Sequence, residues 1–119
     1  MKSLFLSGIF ALFIFPVFAQ TTSTILVAGN CDMCKKRIES AVDLKGVKKA
    51  SWDAKTKVLT VNYDPKKITL DKIIEEISLA GHDSEWLKAD SAAYEKLHNC
   101  CHYERMEPSI PEPKMLDSY

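Results

Sequence analysis

The order in which strand and helix patterns follow one another constrains the fold of this chain more than any other feature. A β-branched apolar run over residues 24–28 predicts a buried strand that ends at Gly29. Two runs over residues 47–53 and 57–63, separated by a turn, predict a hairpin. Two amphipathic helix patterns flank the hairpin, and their apolar faces carry Cys34, Ile38, Ala41 and Val42 in the first and Leu70, Ile73, Ile74, Ile77 and Ala80 in the second.

The last element of this order is less regular than the others. The second helix pattern begins after Thr69, a suitable N-cap, and stops at Gly81. Residues 82–87 are then a candidate for a fourth strand. The resulting order β-α-β-β-α-β predicts an α+β fold, the ferredoxin-like sandwich.

The chain continues beyond this sandwich. Residues 90–98 have helical spacing and predict a short extra C-terminal helix. Residues 104–119 contain three prolines and little apolar content, so they predict a disordered tail. The predicted organisation is therefore one domain over 20–87, a segment over 88–103 with the helix and a Cys-Cys pair, and the tail.

The first 19 residues have the pattern of a signal peptide. Lys2 precedes an apolar run from Leu4 to Phe18, which is shorter than the roughly 18–20 residues that a spanning helix needs. Val17 and Ala19 provide the modest and small residues that signal peptidase requires. We predict cleavage after Ala19 and a periplasmic or secreted protein with no membrane insertion thereafter. The alternative is a permanent membrane anchor.

Charge and motif content exclude several classes of function. The chain has 16 basic and 16 acidic side chains, so it has no strong field for nucleic acid and we expect no such partner. It contains no phosphate-binding loop, no paired acid and base and no serine nucleophile setting, and we expect no enzymatic activity. Four cysteines in 119 residues are the remaining chemical feature. In an oxidising compartment, structural disulfides compete with every metal hypothesis.

Cys31 and Cys34 lie where the first strand meets the first helix. A helix N-terminus carries unpaired N–H groups and partial positive charge, which favour thiolates, and the basic run 35–37 acts in the same direction. Two thiolates about one turn apart can hold one soft ion in near-linear geometry, which suits copper(I) or mercury(II). Zinc(II) prefers four ligands.

Three stretches of the chain resemble the heavy-metal-associated domain of copper chaperones, metal-transporting ATPases and periplasmic mercury-binding proteins. They are V-A-G-N-C-D-M-C-K-K-R-I-E, the hairpin sequence V-L-T-V-N-Y-D-P and the helix ending A-G-H-D, within about residues 24–85. The resemblance implies that Cys31 and Cys34 are metal ligands. Family members usually have a Met just before the first Cys, whereas in this chain Gly29-Asn30 leads directly into Cys31 and Met33 lies between the cysteines.

His82 is a candidate secondary ligand. In a ferredoxin-like sheet the last strand runs antiparallel to the first, so its start lies beside the end of the first strand, near Cys31. His82 occupies that start and is predicted to act as a third ligand or to support one. The alternative is a solvent-exposed loop histidine.

Cys100 and Cys101 are further candidate ligands. A fourth strand would carry the chain roughly 16–20 Å away from Cys31, and a return helix over residues 90–98 would cover about 13 Å of the way back. This arithmetic predicts that the second pair approaches Cys31 and Cys34. A disulfide within the vicinal pair would be strained. The alternatives are an inert Cys-rich tail or disulfides to the first pair.

Together these patterns predict an exported carrier or buffer of a soft metal that exchanges thiolate ligands. Copper(I) is the leading cargo, with mercury(II) or zinc(II) as alternatives, and a metal-transporting membrane protein is a candidate partner. One alternative function is a thiol–disulfide redox protein, although such proteins usually have Trp before their first Cys and Pro within the pair. A small disulfide-stapled interaction module is the other.

Overall fold

The computed structural model describes residues 8, 10–14 and 20–107. In this part of the chain three strands, β1, β2 and β3, form an antiparallel sheet in the order β1-β3-β2. Of the two long helices, α1 lies between β1 and β2 in sequence and α2 follows β3. A short helix, α3, and a 3-10 turn follow. The bounds are β1 Thr21–Leu26, α1 Asp32–Ala41, β2 Val47–Trp52, β3 Val58–Tyr63, α2 Leu70–Leu79, α3 Ser91–Glu95 and the turn Asn99–Cys101. This architecture confirms the predicted α+β, ferredoxin-like fold.

The core lies between the sheet and the two long helices. The register of β3 against β1 runs from Tyr63 opposite Thr21 to Val58 opposite Leu26. Alternate β3 residues therefore point into the core, where they meet the apolar faces of α1 and α2. The buried apolar side chains of these strands and helices are Leu59, Val61 and Tyr63 of β3, Ile25 and Trp52 of the neighbouring strands, Cys34 and Ile38 of α1, and Ile73, Ile74 and Ile77 of α2.

Helix α2 has the boundaries that its sequence predicts. The Thr69 hydroxyl accepts a hydrogen bond from the Lys72 backbone N–H at 3.2 Å, as an N-cap should. Gly81 follows the helix with φ +96°, a left-handed conformation that favours glycine. A Cβ there would lie 2.9 Å from the backbone oxygen of Ala93, so α3 can pack closely only against a glycine.

The predicted fourth strand over residues 82–87 is reduced to a single bridge. Val27 pairs antiparallel with Ser84, and the Ala28 N–H donates to the Asp83 carbonyl at 2.8 Å. The chain turns at Ser84, whose N–H donates to the Leu87 carbonyl at 2.9 Å and not to a neighbouring strand. The prediction of an extended strand at this position is wrong, although its place beside β1 is right.

Residues 88–107 lie against the domain. Helix α3 has five residues, fewer than the nine predicted over 90–98. The sequence placed residues 104–119 in a disordered tail, but Arg105 and Met106 both donate hydrogen bonds to the Asp83 carboxylate. Residues 108–119 lie outside the described residues. We call residues 99–107 the C-terminal segment.

The predicted signal peptide covers residues 1–19, of which 1–7, 9 and 15–19 lie outside the described residues. Its cleavage after Ala19 stays a prediction. Across residues 8, 10–14 and 20–107, no helix has both the length and the apolar character needed to cross a membrane.

Candidate metal centre

The first pair of cysteines is positioned by the start of α1. Cys31 is the N-cap residue, with extended backbone angles, and Cys34 lies in the first turn with its side chain fully buried. The loop before them passes under the Trp52 ring. A Cβ on Gly29 would lie 2.9 Å from that ring and 3.1 Å from the Cys34 Cβ, so the loop requires a glycine.

Four thiol groups meet at this end of the domain. The Cys31 Sγ lies 3.6 Å from the Sγ of Cys34, 3.5 Å from that of Cys101 and 3.7 Å from that of Cys100. The Sγ atoms of Cys100 and Cys101 are 3.9 Å apart, and all four thiols are free. Sulfur atoms at the corners of a tetrahedron about 2.3 Å from a metal would be about 3.8 Å apart. The four separations given are close to this value, and the Sγ atoms of Cys31, Cys34 and Cys101 all lie within 4.8 Å of one another, so these three could hold a metal ion.

The predicted approach of the second pair to the first is confirmed, but the route differs from the prediction. The 3-10 turn over Asn99–Cys101 directs Cys101 into the core, where it is fully buried, and leaves Cys100 exposed. The Cys101 N–H donates to the His98 carbonyl at 2.7 Å and closes this turn. A turn and a five-residue helix thus replace the extended strand and longer helix of the length argument.

Asp83 anchors the C-terminal segment. Its fully buried carboxylate accepts hydrogen bonds from Arg105 at 2.7 and 2.9 Å, from the Ala89 N–H at 2.6 Å and from the Met106 N–H at 2.9 Å. The Arg105 guanidinium also stacks on the Tyr94 ring, 4.4 Å from its centroid. Burial opposes ionisation of Asp83, but hydrogen bonds from Arg105, Ala89 and Met106 outweigh it and hold the pKa of Asp83 below its usual value.

Tyr103 adds a second anchor on the same segment. Its hydroxyl donates to the Gly81 carbonyl at 2.7 Å and accepts from the Asp83 N–H at 2.8 Å. Both groups are buried, so the Tyr103 hydroxyl provides the hydrogen bonds that the backbone of the loop after α2 needs. The same segment carries Cys101 to the thiol cluster.

His82 is fully buried, so it is not an exposed loop histidine. Its Nδ1 lies 2.8 Å from the Ala28 carbonyl, and its ring stacks on Tyr103 with centroids 5.5 Å apart. Its Nε2 is buried without a hydrogen-bond partner among the described residues. The ligand atoms that gather within 4.8 Å of one another belong to Cys31, Cys34 and Cys101, so the structure does not bring His82 among them.

The thiols of Cys31 and Cys101 differ in acidity. A hydrogen bond from the Cys34 backbone at the helix start stabilises the Cys31 thiolate and lowers its pKa. Partial burial raises the pKa, and contacts with the other thiols lower it further. The pKa of Cys31 is therefore about 7. Burial and contacts with the other three thiols raise the pKa of Cys101 above its usual value. Cys31 is therefore the more acidic of these two thiols, and its neighbour Cys101 remains protonated at neutral pH.

Two contributors to this centre are not predicted by the sequence patterns. The Met33 thioether lies 3.6 Å from the Cys100 Sγ, which brings a fifth sulfur to the cluster. The pairing of Asp83 with Arg105 was also missed because Arg105 was assigned to the tail. The available signal was an aromatic and a charged residue, Tyr103 and Arg105, two and four positions after the Cys-Cys pair.

The heavy-metal-associated domain family matches residues 24–83 of this sequence, half of the chain. The chain belongs to this family. Its members bind metal ions, and the match contains both Cys31 and Cys34. The match ends at Asp83, so Cys100 and Cys101 lie beyond the matched region, whereas Gly81 and Asp83, which hold their segment, lie inside it.

Individual relatives agree with this assignment. The mercuric transport protein periplasmic component of Pseudomonas aeruginosa is 32% identical over 87 residues, 71% of this chain and 96% of that protein. A zinc-transporting ATPase of Synechocystis sp. is 41% identical over 63 residues, but those cover 51% of this chain and 9% of the ATPase. The solution structure of a putative copper-ion-binding protein from Bacillus anthracis has a TM-score of 0.54 at 30% identity and covers 56% of this chain and 97% of its own.

Proposed function

We propose that this heavy-metal-associated domain protein is an exported carrier or buffer of copper(I). Cys31 and Cys34 are the primary ligands, and Cys100 and Cys101 supply further thiolates. The observation that carries the proposal is the convergence of four free thiols within 3.5–3.9 Å of Cys31 or of each other at one end of the domain. A donor set made of sulfur selects soft ions, among which copper(I) accepts two or three thiolates.

Transfer would proceed by ligand exchange. An incoming thiolate adds to an under-coordinated ion while a resident thiolate leaves. The half-buried Cys31 and the exposed Cys100 are accessible to such a partner, whereas Cys34 and Cys101 are buried and would retain the ion. A metal-transporting membrane protein is the proposed partner, which the similarity to part of a zinc-transporting ATPase supports.

The proposed compartment is the periplasm or the extracellular space. The signal-peptide pattern of residues 1–19 supports export, and so does the similarity to a periplasmic component of mercuric transport. Export would place the four thiols in an oxidising compartment, where bound metal protects them from disulfide formation.

The test of the primary site is competition with a chromophoric copper(I) chelator under reducing, oxygen-free conditions. We expect the double variant Cys31→Ser/Cys34→Ser to lose copper(I) affinity by orders of magnitude, with an unchanged far-ultraviolet circular dichroism spectrum. The matched control is Cys100→Ser, which removes one exposed thiol and leaves the primary pair. A double variant that competes as well as the parent protein would refute the proposal. Parallel titrations with mercury(II) and zinc(II) establish which ion is preferred.

Thiol–disulfide exchange is the second candidate, because Cys31 has a pKa of about 7 and a partner sulfur 3.5 Å away. We expect the protein to reduce a model disulfide only slowly, since it lacks Trp before the first Cys and Pro within the pair. Rapid turnover of that disulfide, retained in Cys100→Ser and abolished in Cys31→Ser, would favour the redox function instead.

A further inference from the structure

The thiols form two overlapping triples. The inner triple consists of Cys31, Cys34 and Cys101, whose Sγ atoms all lie within 4.8 Å of one another. The outer triple consists of Cys31, Cys100 and Cys101, with separations of 3.7, 3.9 and 3.5 Å. The two triples share the edge from Cys31 to Cys101. Each is a set of three sulfur atoms around its own central position.

Both triples have the size of a three-coordinate site. Three sulfur atoms about 2.3 Å from one ion in a plane would be about 4 Å apart. The Sγ–Sγ separations of the outer triple are close to this value, and those of the inner triple are at most 4.8 Å. Copper(I) suits such a site because it prefers soft sulfur ligands, whereas zinc(II) requires a fourth ligand.

A further soft ligand lies beside the outer triple. The Met33 Sδ lies 3.6 Å from the Cys100 Sγ, and Met33 is 42% exposed. Thioether sulfur is a soft, uncharged ligand that suits copper(I). The sulfur atoms therefore form a gradient from solvent to core, with Met33 and Cys100 exposed, Cys31 intermediate, and Cys34 and Cys101 buried.

We propose that the protein holds two copper(I) ions in adjacent three-sulfur positions that share Cys31 and Cys101 as bridging thiolates. The inner ion is completed by Cys34, and the outer ion by Cys100 with Met33 beside it. Each thiol that binds releases its proton to solvent, and no electron is transferred. This inference rests on the proposed function and deepens it: the outer ion is the one exchanged with a partner, and the inner ion is the one stored.

The experiment is a copper(I) titration of the purified, reduced protein against a chromophoric chelator, read out together with the number of ions per chain by native mass spectrometry. We expect two ions per monomer, the second bound more weakly than the first. Cys100→Ser should bind one ion and keep the affinity of the first. Met33→Leu should weaken only the second ion, by roughly ten- to hundredfold. Met106→Leu, a methionine whose backbone N–H bonds Asp83, is the matched control and should change neither affinity.

Other outcomes would overturn the inference. One ion per chain, weakened by Cys100→Ser, would mean that all four thiolates surround a single ion. Two ions seen only in a dimer would mean that two chains share them. One ion unaffected by Cys100→Ser would leave the proposed function standing and remove the outer position, whereas no copper(I) binding at all would remove both. Cys100 and Met33 are exposed, so both variants should fold, which circular dichroism checks.

Discussion

Two regions of the molecule bring a pair of cysteines to the same place by different means. They are the loop and helix start over residues 29–34 and the C-terminal segment over 99–107. In the first region the backbone is locally determined, because Cys31 is the N-cap of α1 and Cys34 follows one turn later. In the second, the cysteines are held by contacts with residues about 20 positions earlier, chiefly Asp83 and Gly81. One pair depends on a helix terminus and the other on buried polar anchors, so the two should be separable by mutation.

The largest expected effect is on the second region. Asp83→Ala leaves Arg105 without the carboxylate that two of its nitrogens contact, and removing one partner of such a buried pair typically costs about 3–5 kcal/mol. Denaturant unfolding measures this loss. The rate of Cys101 alkylation in the folded state should rise because the C-terminal segment detaches, while the first pair still binds copper(I).

Its matched control is Glu107→Ala, which breaks the exposed ion pair with Lys88 on the same segment. This change should cost less than about 1 kcal/mol and leave the alkylation rate of Cys101 unchanged. If Asp83→Ala behaved like Glu107→Ala, the C-terminal segment would not depend on its buried anchor.

The next largest effect is expected from a substitution in the first region. Gly29→Ala places a methyl group 2.9 Å from the Trp52 ring and 3.1 Å from the Cys34 Cβ, and such overpacking costs about 1–3 kcal/mol. We expect lower stability and weaker copper(I) binding at the first pair. Protection of Cys101 from alkylation should be retained, since its anchors are not touched. Equal loss of protection at both pairs would show that the two regions are coupled.

A smaller effect is expected from removing the anchor at Tyr103. Tyr103→Phe keeps the ring against His82 but removes the hydroxyl that bridges Gly81 and Asp83, at a cost of about 1–2 kcal/mol. Unfolding experiments measure the cost, and amide hydrogen exchange of Asp83 should accelerate. Exchange that is unchanged at Asp83 would contradict the role given to the hydroxyl.

The smallest effect is a pH dependence of stability from His82. Burial lowers the pKa of His82 below its usual value. The hydrogen bond with the Ala28 carbonyl and the charge of Asp83 oppose this shift, and the charge of Arg37 adds to it. The folded state therefore holds the neutral ring. The stability that the neutral ring contributes is fully present when the pH is above the pKa of His82 in the unfolded chain. It is lost as the pH falls from that value towards the lower pKa of His82 in the folded state. Unfolding between about pH 7 and pH 5 should show this slope, and His82→Gln should flatten it.

The C-terminal half of the site shows where prediction from the sequence stops. The lengths of the elements after α2 predict that Cys100 and Cys101 return to Cys31, and they do. The same reasoning assumed an extended strand, but Ser84 turns the chain after one bridge. Strand spacing was also used to place His82 beside Cys31, whereas its ring bonds Ala28 and stacks on Tyr103.

Short-range patterns predict the ferredoxin-like order, the Thr69 cap, the alternation along β3 and the first thiol pair at a helix start, because periodicity, capping and C-x-x-C spacing act between residues a few positions apart. Which atoms of the later residues meet depends on long-range packing. The contacts of Asp83 with Arg105, of Tyr103 with Gly81 and of Met33 with Cys100 join residues 22, 22 and 67 positions apart. Such contacts leave no periodic trace in the chain, since they depend on the path of everything between them.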